Sequence, residues 1–178
     1  MSDAHPPERP QEVADFLQQH PETRAVDAIF ADLSGVVRGK RYPIDDLDKI
    51  FTQGLAFPGS AFLLDVVGES HDPAGLGFSD GDPDVPAFAI PGTLTPVPWA
   101  PKPLAQVLLS FRNEDGSPFP YEPRNVLARV ADEIAALDLK PVVAFELEFY
   151  LIDPERAPGA APQPPISPLT GTRDTGTQ

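Results

Sequence analysis

Apolar and polar side chains alternate most regularly between Val142 and Asp153 (VVAFELEFYLID). Residues two apart share a face of a strand. Val143, Phe145, Leu147, Phe149 and Leu151 therefore form one wholly apolar face, and Val142, Ala144, Glu146, Glu148 and Tyr150 the other. The pattern predicts a strand over 142–153. Elsewhere a helical period predicts three helices. Gln11 to His20 carries Val13, Phe16 and Leu17 on one stripe and stops at Pro21. Asp45 to Gln53 turns Ile44, Leu47, Ile50 and Phe51 inward, with Gly54 as its C-terminal cap. Pro123 opens a helix to about Ala136 whose stripe is Val126, Leu127, Val130, Ile134 and Leu137.

Val26 to Leu33 and Val36 to Tyr42 read as a hairpin across a two-residue Ser34-Gly35 turn. Ala61 to Val67 (AFLLDVV) reads as an apolar strand holding one acid, Asp65. Residues 68–81 form a loop; Val85 to Ile90 and Gly92 to Val97 fit one bent or bulged strand; and Leu104 to Arg112 is another strand. Strands with a small helix, followed by a helix and a near-continuously apolar strand, give an α+β module and then the start of an α/β one.

Composition sharpens this outline. At 178 residues and 41% hydrophobic content, the chain can build one good core, or one domain and part of a second. Its 24 prolines crowd between Pro73 and Pro103 and between Pro154 and Pro168. The first crowd demands short strands and loops. The second lies in a stretch without aromatic residues that cannot build a core, so 154–178 is expected to be a flexible tail. Residues 1–10 are expected to be disordered. A net charge of −14 argues against nucleic acid, because a phosphate backbone needs a basic face. No apolar run approaches the roughly 18 residues of a membrane span, and MSDAHPPERP cannot serve as a signal peptide. With no cysteine, a cytoplasmic location is expected.

The chemistry on offer is acidic. Glu146 and Glu148 would stand about 6.6–7 Å apart on one strand face from the strand rise. Buried, two ionised carboxylates need a cation, and a hard divalent ion such as Mg²⁺ would satisfy them. An edge strand with one wet face would carry the same pattern. Asp65 is either a solvated acid at a strand end or a functional one, and Asp80, Asp82 and Asp84 follow in the next loop. His5, His20 and His71 have no metal-ligand spacing and read as surface residues. Arg38, Lys40 and Arg41 are a dense basic cluster, suited to protecting a sheet edge or to meeting an acidic surface or an anionic ligand. No GxSxG elbow or Walker-type loop occurs. Two acids on one strand would not flank a glycosidic bond, which weakens a carboxylate-pair hydrolase reading.

Several segments in order resemble the N-terminal part of the glutamine synthetase superfamily, and most closely the branch that joins glutamate to putrescine and other polyamines. They are VDAIFADLSGVVRGKRYP at 26–43, FPGSAFLLDVVGE at 57–69, AGLGFSDGDPD at 74–84, PGTLTPVPW at 91–99, and DGSPFPYEPRNVL at 115–127 running on to VVAFELEFYLID. The resemblance implies a β-grasp domain over 22–112, after a start and short helix over 1–21, and the beginning of the catalytic α/β domain over 119–153. It implies that Glu148 matches a ligand of the metal nearer glutamate, and Glu146 a ligand of the metal bridging the ATP phosphates. Asp65 matches the acid that binds the incoming amine and takes its proton.

The implied reaction uses ATP as co-substrate with Mg²⁺ or Mn²⁺. It phosphorylates the glutamate γ-carboxylate, and an amine then attacks γ-glutamyl phosphate. Glutamate, ATP and the amine are the implied partners, in a homo-oligomer with sites between subunits. The later metal, nucleotide and glutamate ligands of the family are absent from these 178 residues, so the chain alone is expected to be inactive. Where glutamine synthetases have Gly-Ser-Ser after the acid matching Asp65, this chain has Val66-Val67-Gly68, which favours an amine larger than ammonia. A glutamine synthetase using ammonia and a free-standing, catalytically inactive β-grasp interaction module are the alternatives.

Overall fold

The computed structural model describes residues 9–77 and 79–173. His5 and the expected disorder of residues 1–8 lie outside the described residues, as does the tail beyond 173. The chain divides into two compact units, Met1–Leu139 and Lys140–Gln178.

The first unit is α+β and is built on a mixed six-stranded sheet. Its strands are β1 (Ala25–Ala31), β2 (Val37–Pro43), β3 (Leu55–Pro58), β4 (Asp84–Ala89), β5 (Thr95–Pro96) and β6 (Leu104–Phe111), in the order β2-β1-β6-β4-β3, with β5 paired on β6. β1 and β2 are an antiparallel hairpin, β1 runs parallel to β6, and the remaining pairings are antiparallel. Strict alternation decides which side faces inward. Val26, Ala28 and Phe30 of β1 and Ala105, Val107, Leu109 and Phe111 of β6 are buried, with Val85, Ala87 and Ala89 of β4 beside them.

Two helices cover that face. Helix α1 (Gln11–Gln19) contributes Val13 and Phe16, and α2 (Leu47–Thr52) contributes Leu47 and Ile50. Glu12 fixes α1 by accepting hydrogen bonds from the Gly92 and Leu94 amides at 2.8 and 3.1 Å. Gly54 ends α2 as its sequence predicts, with φ +76° and its amide on the Lys49 carbonyl at 3.0 Å. At one end of the sheet the rings of Phe30, Phe57, Phe62, Phe111 and Phe119 pack with centroids 4.6–5.8 Å apart.

Helix α3 (Pro123–Ala136) forms where Pro123 predicts it. Its anchor is Glu122, whose buried carboxylate accepts from the Phe111 amide at 2.7 Å, Ser110 Oγ at 3.1 Å and Asn125 Nδ2 at 2.7 Å. Burial pushes this carboxyl above its usual range, against those hydrogen bonds and the nearby Arg124 and Arg112. Its apolar stripe is largely open: Leu127, Val130 and Leu137 are exposed, and Val126 and Ile134 are half-buried.

Three of the expected strands need correction. Ala61 to Val67 is not a strand. A 3₁₀ turn over Gly59–Phe62 sinks Phe62 into the aromatic cluster, and a tight turn follows. The segments 85–90 and 92–97 are not one strand: β4 and β5 meet different parts of β6. The predicted strand over 142–153 carries no ladder; the side chains of 142–152 are exposed, Val142 and Phe145 by 90 and 93%. A strand needs a neighbour for its amides and carbonyls, and no segment among the described residues pairs with this one. Strand β3 was missed because four residues ending in proline are too short to show a period.

The second unit closes a loop on itself. The Asp153 amide donates to the Gln163 carbonyl at 2.8 Å, Arg173 Nη1 reaches Asp153 Oδ2 at 3.0 Å, and Ile166 bridges to Arg173.

Candidate amine-binding turn

Asp65 opens a four-residue turn. Its carbonyl accepts from the Gly68 amide at 3.0 Å, and its own amide donates to the Glu69 carbonyl at 3.0 Å. Gly68 sits at φ +89°, where a side chain would be strained. Asp at the first position of such a turn bonds backbone amides two and more residues on. Here Oδ1 accepts from the Val67 and Glu69 amides, both at 2.9 Å. Oδ2 lies 2.9 Å from Nε2 of His71. These side-chain bonds offer the backbone an alternative to the ladder, which is why the segment turns.

The His71 contact, followed by the two amides, draws the Asp65 carboxyl down to about 2. Asp65 is therefore a fixed anion at neutral pH, with lone-pair capacity left for one more donor. Its side chain is one-third exposed. Val66 and Val67 at the tip are 72 and 76% exposed. Valine suits neither a turn nor water, so hydrocarbon beside an open carboxylate is the distinguishing feature of this site. Carboxylate oxygens of Asp65 and Glu69 and a ring nitrogen of His71 lie within 4.8 Å of one another. That set suits a cationic group, although the amides already hold Oδ1.

The turn is braced from the β1–β2 hairpin. Asp32 is buried and accepts from the Ser34 and Val36 amides at 2.9 and 2.8 Å. Its other oxygen takes Arg38 Nε at 2.7 Å, and Arg38 Nη2 donates to the Asp65 carbonyl at 2.9 Å. The hairpin loop thus runs from Asp32 to Val36 rather than being a two-residue Ser34-Gly35 turn. The rest of the basic cluster is used within the fold. Arg41 pairs with Asp27 at 2.7 Å, and Lys40 lies 4.8 Å from the centre of the Phe57 ring.

The other candidate acids separate into two groups. Asp80 accepts from the Gly77 and Asp82 amides, and Asp82 from the amide and hydroxyl of Ser60; both serve loop structure. Asp84 begins β4. Glu146 and Glu148 belong to the second unit, are exposed, and have no hydrogen-bond partner among the described residues. As free carboxylates they are hard oxygen donors of the kind Mg²⁺ takes, but two donors are few for its octahedral shell.

Sequence reasoning missed Asp32 and Glu122, and it read His71 only as a surface residue; the ring is exposed but also pairs with Asp65. Asp32 directly before Ser-Gly was a readable turn signal, and Glu122 directly before Pro123 was a readable helix start. His71 has no local signal, because its pairing depends on how the chain turns at 65–69.

Comparison with known proteins adds a common thread. The catalytic domain of glutamine synthetase matches residues 120–178. The gamma-glutamylputrescine synthetase of Escherichia coli (strain K12) is 44% identical over 168 residues, 94% of this chain and 35% of that protein. A glutamate–isopropylamine ligase of a Pseudomonas species is 33% identical over 156 residues, 85% of this chain and 33% of that one. Among solved structures, a complex of GmaS with ADP superposes with a TM-score of 0.55 at 28% identity, covering 72% of this chain and 26% of that one. The chain thus spans about a third of the length of the curated relatives it matches.

Proposed function

Because the chain belongs to the glutamine synthetase family, we propose that it supplies the amine-binding part of an ATP-dependent ligase. The enzyme joins the glutamate γ-carboxylate to an amine such as putrescine through γ-glutamyl phosphate. The observation that carries this reading is the ionised Asp65 carboxylate, held open at a turn tip beside Val66 and Val67. An anion selects a cationic amine electrostatically. The exposed valines offer a surface that a methylene chain covers and ammonia does not need.

Asp65 also takes the ammonium proton, and only after that loss does nitrogen have a lone pair for attack. Excluding water around the bound pair would raise the proton affinity of Asp65 and lower that of the amine, which favours that transfer. Glu146 and Glu148 would hold Mg²⁺ or Mn²⁺ once further donors complete the shell. What a metal supplies there is neutralisation of phosphate charge.

In this reading 22–112 is the β-grasp domain and 119–153 begins the catalytic domain. The parallel pairing of β1 with β6 next to the β1–β2 hairpin supports the first assignment. The enzyme is a cytoplasmic homo-oligomer in which Asp65 of one subunit faces the Glu146/Glu148 site of its neighbour. No helix among the described residues is long and apolar enough to cross a membrane. The 178 residues alone do not catalyse the reaction.

The test grafts this chain in place of the matching segment of the Escherichia coli relative. With glutamate and ATP, the chimaera is expected to release phosphate in response to putrescine and to form γ-glutamylputrescine. Equal use of ammonia would identify a glutamine synthetase instead. A folded chimaera active with neither amine would leave the chain as a binding module.

A further inference from the structure

We propose that Arg38 is a positioning residue: anchored on the buried Asp32 carboxylate, its guanidinium clamps the turn that presents Asp65. Its meaning for catalysis rests on the amine-binding reading of Asp65, but the clamp itself does not.

Beyond the turn's own internal bonds, little else holds it to the fold. Val66, Val67, Gly68 and Glu69 are all exposed, so no core packing fixes the tip. Three contacts instead tie the segment before and at Asp65 to the β1–β2 hairpin. The Leu33 amide donates to the Phe62 carbonyl at 3.1 Å, Ser34 Oγ to the Leu64 carbonyl at 3.4 Å, and Arg38 Nη2 to the Asp65 carbonyl at 2.9 Å. The last is the strongest in kind, because its donor is charged. It is also the best anchored. Arg38 is 22% exposed and Asp32 is fully buried, and the Arg38 Nε to Asp32 Oδ2 distance is 2.7 Å.

Asp32 in turn is fixed by the Ser34 and Val36 amides, so the brace runs from hairpin backbone through carboxylate and guanidinium to the Asp65 backbone. A planar fork can serve two acceptors in different directions; a lysine ammonium on a flexible stem can satisfy Asp32 without holding both. Gly68 fits the same arrangement, since a side chain there would come within 3.3 Å of the Arg38 guanidinium.

The test is NMR of the 178-residue chain with Arg38→Lys, which keeps a cation for the buried carboxylate. Asp32→Asn/Arg38→Leu is the second variant; it removes both charges and keeps a side-chain oxygen for the hairpin amides. In each, β1 and β6 amides are expected to stay protected. Backbone order at Val67 and Gly68 should fall from about 0.85 to below about 0.6 on the order-parameter scale. The Asp65 carboxyl midpoint should rise from about 2 toward 3.8 as its amide donors scatter. Unchanged tip order and an unchanged Asp65 midpoint in either folded variant would overturn the clamp. If both variants lose β1 and β6 protection, Arg38 and Asp32 serve the hairpin as a whole, and the proposal fails equally. A failed ligase assay would leave these readings untouched, so the two ideas fall separately.

Discussion

Strand β1 and the segment 142–151 are written in the same two-residue period. In β1 every second residue is buried, with Val26 and Ala28 at 0% and Phe30 at 4% exposure. In 142–151 the corresponding face stays open, with Phe145, Leu147 and Phe149 exposed by 93, 84 and 76%. The difference lies in the neighbours. β1 has β2 and β6 on its two edges and lies within the one hydrophobic core of the sheet and helices, whereas 142–151 has no strand on either edge among the described residues. The period specifies which side chains share a face; a partner decides whether that face becomes a core.

The contrast is broken most forcefully by deleting one ring from each region. Phe111→Ala should cost about 3–5 kcal/mol, because Phe111 is fully buried among Phe30, Phe57 and Phe62. Phe145→Ala should change stability by no more than about 0.5 kcal/mol. Urea unfolding followed by near-ultraviolet circular dichroism compares the two, and similar losses would mean that 142–151 is packed after all.

Next in size is the anchor of α3. Glu122→Ala leaves the Phe111 amide without its acceptor and should cost about 1–3 kcal/mol. The pH dependence has a definite sign. The folded carboxyl titrates above its usual range, so Glu122 stabilises the fold in acid, and that contribution fades as pH rises through the folded value. The stability difference between Glu122→Gln and the native chain should shift in favour of the variant between pH 4 and 7. A flat difference would contradict the burial argument.

A smaller effect separates the regions by association rather than folding. Exposed apolar surface drives self-association, so the native chain should elute as oligomers at high concentration in size-exclusion chromatography. Phe145→Lys/Phe149→Lys should return it toward the monomer without altering its melting temperature. The smallest effect is at the turn. Asp65 titrates at about 2, so its contribution is present above the ordinary aspartate range and is lost as pH falls toward 2. Asp65→Asn should remove that part of the acid sensitivity, read from melting temperatures between pH 2 and 5.

The same contrast explains what could be read in advance. Helices α1 and α3 and strands β1, β4 and β6 were legible because each repeats a period long enough to exclude the other, and β2 was legible as the return arm of a hairpin after Ser34-Gly35. Asp65 stood out as the one acid in an apolar run, but a role for it came only from its place in a family-like run of residues, and its setting was misread. AFLLDVV has the composition of a strand, yet the bonds of Asp65 to two amides and His71 and the burial of Phe62 bend it into a turn. The brace through Asp32 and Arg38 joins residues 27 and more positions apart in sequence to Asp65, and no period reports such a link. For Glu146 and Glu148 the expected shared face required a strand, and no segment among the described residues pairs with theirs.

The central claim is that Asp65 binds the amine. The direct measurement is steady-state kinetics of Asp65→Asn in the chimaera with the Escherichia coli relative, varying putrescine and glutamate in turn. The account predicts a fall of roughly 10²–10⁴ in kcat/KM for putrescine, with the KM for glutamate unchanged. Equal weakening toward both substrates, or full activity with putrescine, would contradict it.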